Sequence, residues 1–296
     1  MPLVGQASSR DARLVLSPVP PGCEGVSEAD GSIAYHGPSK VAQRLINNQV
    51  RLIVVRHGQS QSNADSEQLG QPLLYGRSES PLTAKGVQQA HDCAAELYRQ
   101  LGGDDYLRAC LDDPTRLPVF CSSTVSRALD TAQILADAIK DRAFAIGGEA
   151  ARDKVAPWLE VHREPRLLES SFGRLETHPL SDLQKAYPEF ANSWRPPQGM
   201  GTEFRHRFPG GESRADVMRR VHSFLDSAAH RYAGRTVVMI THGETTLATR
   251  AALGQAPETD GKVRAETGVV GNAVPYYLIG KPTIPPATAF GAAPPW

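Results

Sequence analysis

Two apolar, β-branched runs in this chain end in the same way, and that repeated ending constrains the fold more than any other feature. Arg51-Leu-Ile-Val-Val55 leads into Arg56-His57-Gly58, and Arg235-Thr-Val-Val-Met-Ile-Thr241 leads into His242-Gly243. A continuous apolar run of this length, without polar alternation, reads as a strand buried on both faces, as in a parallel sheet covered by helices. In such sheets ligands bind beyond the carboxyl ends of the strands. Two histidines at those ends are therefore candidates to face one site, and Gly58 and Gly243 after them allow close backbone approach to an anion.

Helical segments alternate with the strands. Thr83 is a plausible cap for a helix from about Ala84 to Leu101, closed by Gly102-Gly103. Pro118–Cys121 reads as a short strand, followed by a helix from about Arg127 to Ile139 with Ala128, Ala132, Leu135 and Ala136 on one side. Residues 141–163 read as an insertion with a strand at Ala143–Ile146, and Arg166-Leu-Leu168 as a strand end. The clearest element is a helix from about Arg214 to Tyr232, where Val217, Val221, Phe224, Leu225 and Ala228 make one apolar stripe. A last helix runs from His242-Gly243 to about Leu253. This alternation predicts a parallel sheet in a layered α/β fold.

Glycine and proline punctuate the ends. Five prolines (Pro2, Pro18, Pro20, Pro21, Pro38) fall in residues 1–48, and five (Pro282, Pro285, Pro286, Pro294, Pro295) in residues 282–296. The expected organisation is an N-terminal arm over 1–48, with a helical turn at Val41–Leu45, one domain over 49–281, and a tail over 282–296. Residues 176–208, rich in proline and aromatics, read as a lid inserted in that domain. Lys+Arg and Asp+Glu both number 32, so the net charge is zero. That balance argues against a nucleic-acid partner, although charge can still be concentrated in one cleft. No apolar run reaches the ~18 residues of a membrane span, and the first residues lack a signal-peptide pattern. Cys23, Cys93, Cys110 and Cys121 show no ligand spacing and read as reduced thiols of a cytoplasmic protein.

The third chemical feature is Ser123-x-x-x-Arg127-Ala128-x-x-Thr131-Ala132, after the Pro118–Cys121 strand. An arginine near a helix start is disfavoured by the helix dipole. Either a surface salt bridge or a phosphate held by the guanidinium would compensate.

Taken in order, Arg56-His57-Gly58, Asn63, Ser123-x-x-x-Arg127-Ala128-x-x-Thr131-Ala132, Leu168-Glu169-x-x-Phe172-Gly173 and His242-Gly243 strongly resemble the histidine phosphatase superfamily. The resemblance spans residues 51–253 and implies a three-layer α/β/α fold with a mostly parallel central sheet, phosphoglycerate-mutase-like. It implies that His57 is the nucleophile that becomes phosphohistidine. Arg56, Arg127 and His242 match the phosphate clamp, Glu169 the carboxylate that protonates the leaving group, and Asn63 a polar residue of the phosphate pocket. The chemistry suits those roles. Two arginines and a histidine neutralise a phosphomonoester dianion, a neutral imidazole is a competent nucleophile near pH 7, and a protonated carboxyl assists a basic leaving group. No carboxylate cluster has Mg²⁺ spacing, so neither a metal nor another cofactor is expected.

Mutases of the superfamily carry a tryptophan just before the asparagine and a Gly-Trp soon after. Here the stretches are Gly58-Gln-Ser-Gln-Ser62-Asn63 and Tyr75-Gly76-Arg77-Ser78. Glu169-Ser-Ser-Phe172-Gly173-Arg-Leu-Glu176 is nearer the phosphatase pattern, with Thr177 in place of a glycine. Arg207-Phe208-Pro-Gly-Gly211-Glu212-Ser213 resembles the branch with an Arg-Phe-Pro-x-Gly-Glu-Ser segment, in which Ser213 caps the long helix. Glu212 either orients an active-site loop or satisfies backbone donors. Arg205, His206 and Arg207 are either a solvated loop or a contact for a second anionic group, which makes Arg207 a candidate substrate residue. Tyr187, Phe190 and Trp194 could close over an organic moiety. The expectation is a metal-independent phosphomonoesterase acting on a small-molecule phosphate ester, with no nucleic-acid or membrane partner and no oligomeric state assigned. The alternatives are a phosphoglycerate-mutase-type phosphotransferase and a non-catalytic phospholigand-binding protein.

Overall fold

The two β-branched runs lie side by side at the centre of a five-stranded sheet. β1 (Arg51–Arg56) and β4 (Thr236–Thr241) are parallel, from Arg51 opposite Thr236 to Arg56 opposite Thr241. The computed structural model describes residues 39–186, 207–254, 258–259, 262–263 and 271–280. β2 (Val119–Ser122) pairs in parallel with β4 and with β3 (Val161–Arg163). On the other side of β1 runs β7 (Pro275–Ile279), antiparallel, so the order is β3-β2-β4-β1-β7. A separate two-stranded ribbon pairs β5 (Glu258–Thr259) with β6 (Lys262–Val263).

Alternate residues of each strand serve opposite layers, because side chains of a strand point alternately to its two faces. Leu52, Val54, Val237 and Met239 join a core with α1 (Lys40–Asn47), α7 (Arg214–Arg231) and α8 (Gly243–Ala252). Ile53, Val55, Val238 and Ile240 join the core of the other face, with α3 (Ala84–Leu101), α4 (Gly103–Asp112) and α5 (Ser126–Val155). The result is the three-layer α/β/α arrangement with a mostly parallel sheet. Local signals set several boundaries. Thr83 Oγ1 accepts from Gly86 N at α3, and Ser213 Oγ accepts from Asp216 N at α7, where the Asp216 carboxylate returns a bond to Ser213 N.

Two sequence expectations change, one is extended and one strand is new. Ala143–Ile146 is helix rather than strand: α5 continues through it because Ala143, four residues after Ile139, prolongs the buried stripe. Helical geometry breaks only at Gly147 and Gly148, the latter with φ +69°. The third parallel strand is Val161–Arg163, and Pro165–Leu167 is a 3-10 turn in which Leu168 N donates to Pro165 O. The helical turn expected at Val41–Leu45 is present and extends to α1 (Lys40–Asn47), whose Val41, Ala42 and Leu45 are buried in the core. The edge strand β7 went unread, although Tyr276-Tyr-Leu-Ile279 is β-favouring in composition. Residues 1–38, most of the lid expected at 176–208, and the tail at 282–296 lie outside the described residues. Within that lid α6 (Leu180–Ala186) is described, its Leu183 buried with Leu74, Phe172, Leu175 and Phe208. No helix among the described residues is long and apolar enough to cross a membrane. Cys93, Cys110 and Cys121 are buried free thiols.

Candidate active site

The register of β1 and β4 places both histidines on adjacent strand ends. His57 N still donates to Thr241 O at 3.0 Å, and His242 is the next residue of β4's chain. Their rings sit 5.1 Å apart at 61°, and both are buried. β2 ends beside them, and the chain leaving it starts α5, so Arg127 falls in the first turn of that helix. Arg127 is 3% exposed, which excludes a surface salt bridge. Its guanidinium donates to Gly76 O at 2.7 Å and to Ser78 O at 3.0 Å. Two backbone carbonyls thus offset the unfavourable dipole.

The hydrogen bonds decide which His57 nitrogen is available. Nδ1 lies 2.7 Å from Gly58 O, and a carbonyl can only accept, so Nδ1 carries the proton. Nε2 keeps its lone pair, to which Arg127 Nε–H donates at 3.2 Å. Burial, then the Arg127 and Arg56 cations, hold His57 well below the ordinary 6.5, against a smaller raising effect of the Gly58 carbonyl. His242 is likewise held well below 6.5, first by burial and then by Arg127 and His57. Its Nε2 pairs with Ser123 Oγ at 2.8 Å, which leaves the buried Nδ1 without a partner. Arg56 Nε is also buried without a partner. Buried polar atoms normally find a partner. Of these two, Arg56 Nε–H can only donate, and next to His57 it fits a ligand that supplies acceptor oxygens, as a phosphate does.

Glu169 lies at the start of α8. Its Oε1 accepts from Ser170 N at 2.9 Å, Thr245 N at 3.2 Å and Thr245 Oγ1 at 3.3 Å, and its Oε2 accepts from Glu244 N at 3.3 Å. Burial and the neighbouring Glu244 carboxylate push its pKa up, opposed by Ser170 N–H, Arg127 and Arg56. The carboxyl therefore keeps its proton to a higher pH than an ordinary glutamate, which suits a proton donor.

The remaining sequence candidates divide. A Cβ at Gly243 would come no nearer than 3.9 Å to Arg56 and Glu169, so this glycine lies between the two with room for a side chain at ordinary van der Waals distance. Gly58 answers a packing need: a Cβ there would fall 2.3 Å from Gly86 O, where α3 begins. Asn63 is placed in the first turn of α2 (Gln61–Leu69), where its Oδ1 accepts from Ser60 N and Ser60 Oγ, both at 3.1 Å. Arg207 is engaged by Asp216 through two bonds of 2.7 and 2.8 Å at the head of α7. Tyr187, Phe190, Trp194, Arg205 and His206 lie outside the described residues. Sequence reasoning assigned no role to Ser123, Thr245 or Asn272. Asn272 Nδ2 donates to His57 O at 2.8 Å across 215 residues of chain, a pairing that no local pattern signals. Among the described residues no three His, Cys, Asp or Glu side chains gather as a metal site.

Known proteins resemble this chain in sequence and in fold. Residues 52–269 match the model of the histidine phosphatase superfamily (branch 1). Over 194 residues, 66% of this chain and 70% of the other, the sequence is 32% identical to a probable phosphoglycerate mutase GpmB of Yersinia enterocolitica serotype O:8 / biotype 1B. The alpha-ribazole phosphatase of Shigella flexneri superposes with TM-score 0.52 at 22% identity, covering 81% of this chain and 98% of that one. A mycobacterial glucosyl-3-phosphoglycerate phosphatase superposes with TM-score 0.50 at 23% identity, covering 79% and 99%. These two likenesses are likenesses of fold.

Proposed function

The chain belongs to the histidine phosphatase superfamily, and from that premise we propose that it hydrolyses a small organic phosphomonoester through a phosphohistidine at His57. The observation that carries this reading is the state of His57: buried, neutral, with Nδ1–H spent on Gly58 O and the Nε2 lone pair beside Arg127.

A phosphomonoester dianion repels nucleophiles, so the Arg56 and Arg127 cations first neutralise it, with the uncharged His242 ring beside them. Arg127 transfers its Nε–H bond from His57 Nε2 to a phosphate oxygen, and the lone pair attacks phosphorus in line with the departing oxygen. The P–N bond forms, the P–O bond to the organic group breaks, and the Glu169 carboxyl gives its proton to the leaving oxygen. In the second displacement the Glu169 carboxylate takes a proton from water. The water oxygen bonds to phosphorus, the P–N bond breaks, and phosphate leaves with His57 neutral again. The free buried thiols support the cytoplasmic setting read from the cysteine pattern.

Rapid quenching with p-nitrophenyl phosphate tests the reading. The expected result is an acid-labile phosphoenzyme that is missing in His57→Ala, together with loss of turnover. Undiminished turnover in that variant overturns the mechanism. A screen of phosphate release over sugar phosphates, nucleotides and phospho-acids then identifies the substrate.

The name carried by the 32%-identical relative favours a second reading, a phosphoglycerate-mutase-type transferase. Against it stand Gln59-Ser-Gln-Ser62 and Arg77, where mutases of the superfamily place tryptophans. Incubation with 3-phosphoglycerate and a trace of the 2,3-bisphosphate separates them: the hydrolase releases phosphate, and the mutase isomerises without release.

A further inference from the structure

Glu169 is gripped at two places. Its carboxylate sits on the start of α8, as described above. Its main-chain carbonyl, on the other side of the residue, accepts from Arg220 Nη2 at 3.0 Å and from Arg77 Nε at 3.2 Å. These two arginines come from α7 and from the loop after Tyr75, and one carboxylate holds both. Glu212 Oε1 lies 2.8 Å from Arg77 Nη2 and 3.1 Å from Arg220 Nε, and Glu212 Oε2 lies 3.1 Å from Arg220 Nη2. Glu212 Oε2 also accepts from Ser171 N at 3.2 Å, two residues beyond Glu169. Arg220 spends Nη1 on Arg166 O at 2.7 Å, just before the same segment.

The grip reaches the phosphate clamp as well. Arg77 stands between Gly76 and Ser78, whose carbonyls hold Arg127. Whatever fixes Arg77 against Glu169 therefore fixes the spacing between acid and clamp. The Arg220 and Glu212 side chains are only 14% and 19% exposed. A buried ion pair is weak evidence for stability, because desolvation consumes much of the attraction. What such a pair does supply is fixed geometry: each guanidinium has a planar set of donors, here divided between one carboxylate and the backbone of one segment.

We propose that Glu212, Arg220 and Arg77 are positioning residues that set the Glu169 carboxyl at its distance from an Arg127-held phosphate. The proposal rests on the assignment of Glu169 as the proton donor. Displacing a donor by about 1 Å can cost on the order of 10²-fold in rate. In the first displacement the cost falls on esters whose leaving oxygen needs the proton and spares those whose leaving group departs as a stable anion.

The test compares a simple alkyl phosphate with p-nitrophenyl phosphate in the wild type, Glu169→Gln, Arg220→Ala and Glu212→Gln. In the last two, kcat/KM on the alkyl ester is expected to fall on the order of 10²-fold. On p-nitrophenyl phosphate kcat/KM should change less than about fivefold, because kcat/KM reports only the first displacement, and the water step, in which Glu169 serves every ester alike, comes after it. Glu169→Gln should show the same selectivity. Equal losses on both esters, or a Glu212→Gln protein indistinguishable from wild type while Glu169→Gln is selective, overturn the positioning role alone. A wild-type protein that hydrolyses no phosphomonoester overturns the proposed function and this inference together. Thermal melts accompany each variant. If Arg220→Ala does not fold, Glu212→Gln, which keeps the side chain's size and one acceptor oxygen, decides. Loss of fold in both marks the network as purely structural and overturns the proposal.

Discussion

The arginines around this site form two groups with opposite histories of charge. In the outer group every guanidinium already meets a carboxylate: Arg77 and Arg220 meet Glu212, Arg207 meets Asp216, and Arg214 meets Glu244. In the inner group Arg127 is buried against carbonyls and a histidine, and Arg56 keeps a buried Nε without a partner. Among the described residues neither inner arginine forms a salt bridge. The same side chain thus does two jobs. Where the protein supplies the anion, arginine fixes geometry. Where it does not, the positive charge meets no carboxylate in an ion pair, which suits the phosphate clamp we propose.

The largest expected effect breaks the comparison from inside. Arg127→Ala should lower kcat/KM on p-nitrophenyl phosphate by on the order of 10²–10³-fold, the usual cost of removing one donor to developing charge. Arg207→Ala, an outer residue, should cost less than about tenfold in the same assay, since Arg207 is half-exposed and Asp216 keeps Arg219 and Ser213 without it. A loss as large for Arg207 as for Arg127 would show that Arg207 contacts substrate after all.

The pH profile sharpens the comparison next. The proposed mechanism requires His57 neutral and Glu169 protonated. His57 is held well below 6.5, so the acid limb of kcat/KM lies well below that value. Glu169 is raised above the ordinary 4.5, so the alkaline limb lies above it. Glu244 is the neighbouring charge that raises Glu169. Glu244→Gln removes that charge, lets Glu169 ionise more easily, and should move the alkaline limb to lower pH. A limb that stays in place in this variant would sever Glu244 from the acid.

The smallest effects concern the two glycines that follow the histidines. Gly58→Ala drives a Cβ to 2.3 Å from Gly86 O and should cost ~1–3 kcal/mol of stability in a denaturant melt. Gly243→Ala meets nothing nearer than 3.9 Å and should leave the melt within about 0.5 kcal/mol of wild type. Equal destabilisation of both would contradict the close approach of α3 to the His57 loop.

Much of this was legible before any coordinates. The β-branched runs, the cap at Thr83, the stripe of α7 and the histidines at strand ends are local patterns, each written within a dozen or so residues, and each appears where the chain places it. The failures were also local. At Ala143–Ile146 a four-residue apolar stretch carries strand and helix periodicity equally, and only its continuity with Ile139 settles the matter. At Arg166–Leu168 the apolar residues belong to a turn, and Pro165 was the signal that a strand had already ended.

The sequence by itself determined the inventory of the candidate site: two histidines and two arginines at the end of a strand or the start of a helix, and a glutamate just after the Pro165–Leu167 turn. The first four positions follow from periodicity and capping, which act between neighbours in the chain. Only the tertiary structure decided how the groups are used. The choice of Nε2 over Nδ1 in His57, the seating of Glu169 on Glu244 and Thr245, the hold of Asn272 on His57, and the joint grip of Glu212 on Arg77 and Arg220 are all hydrogen bonds. All but the first join segments with no common local pattern. Such bonds form only after burial brings their groups together out of water, and for that reason no reading of neighbours along the chain contains them.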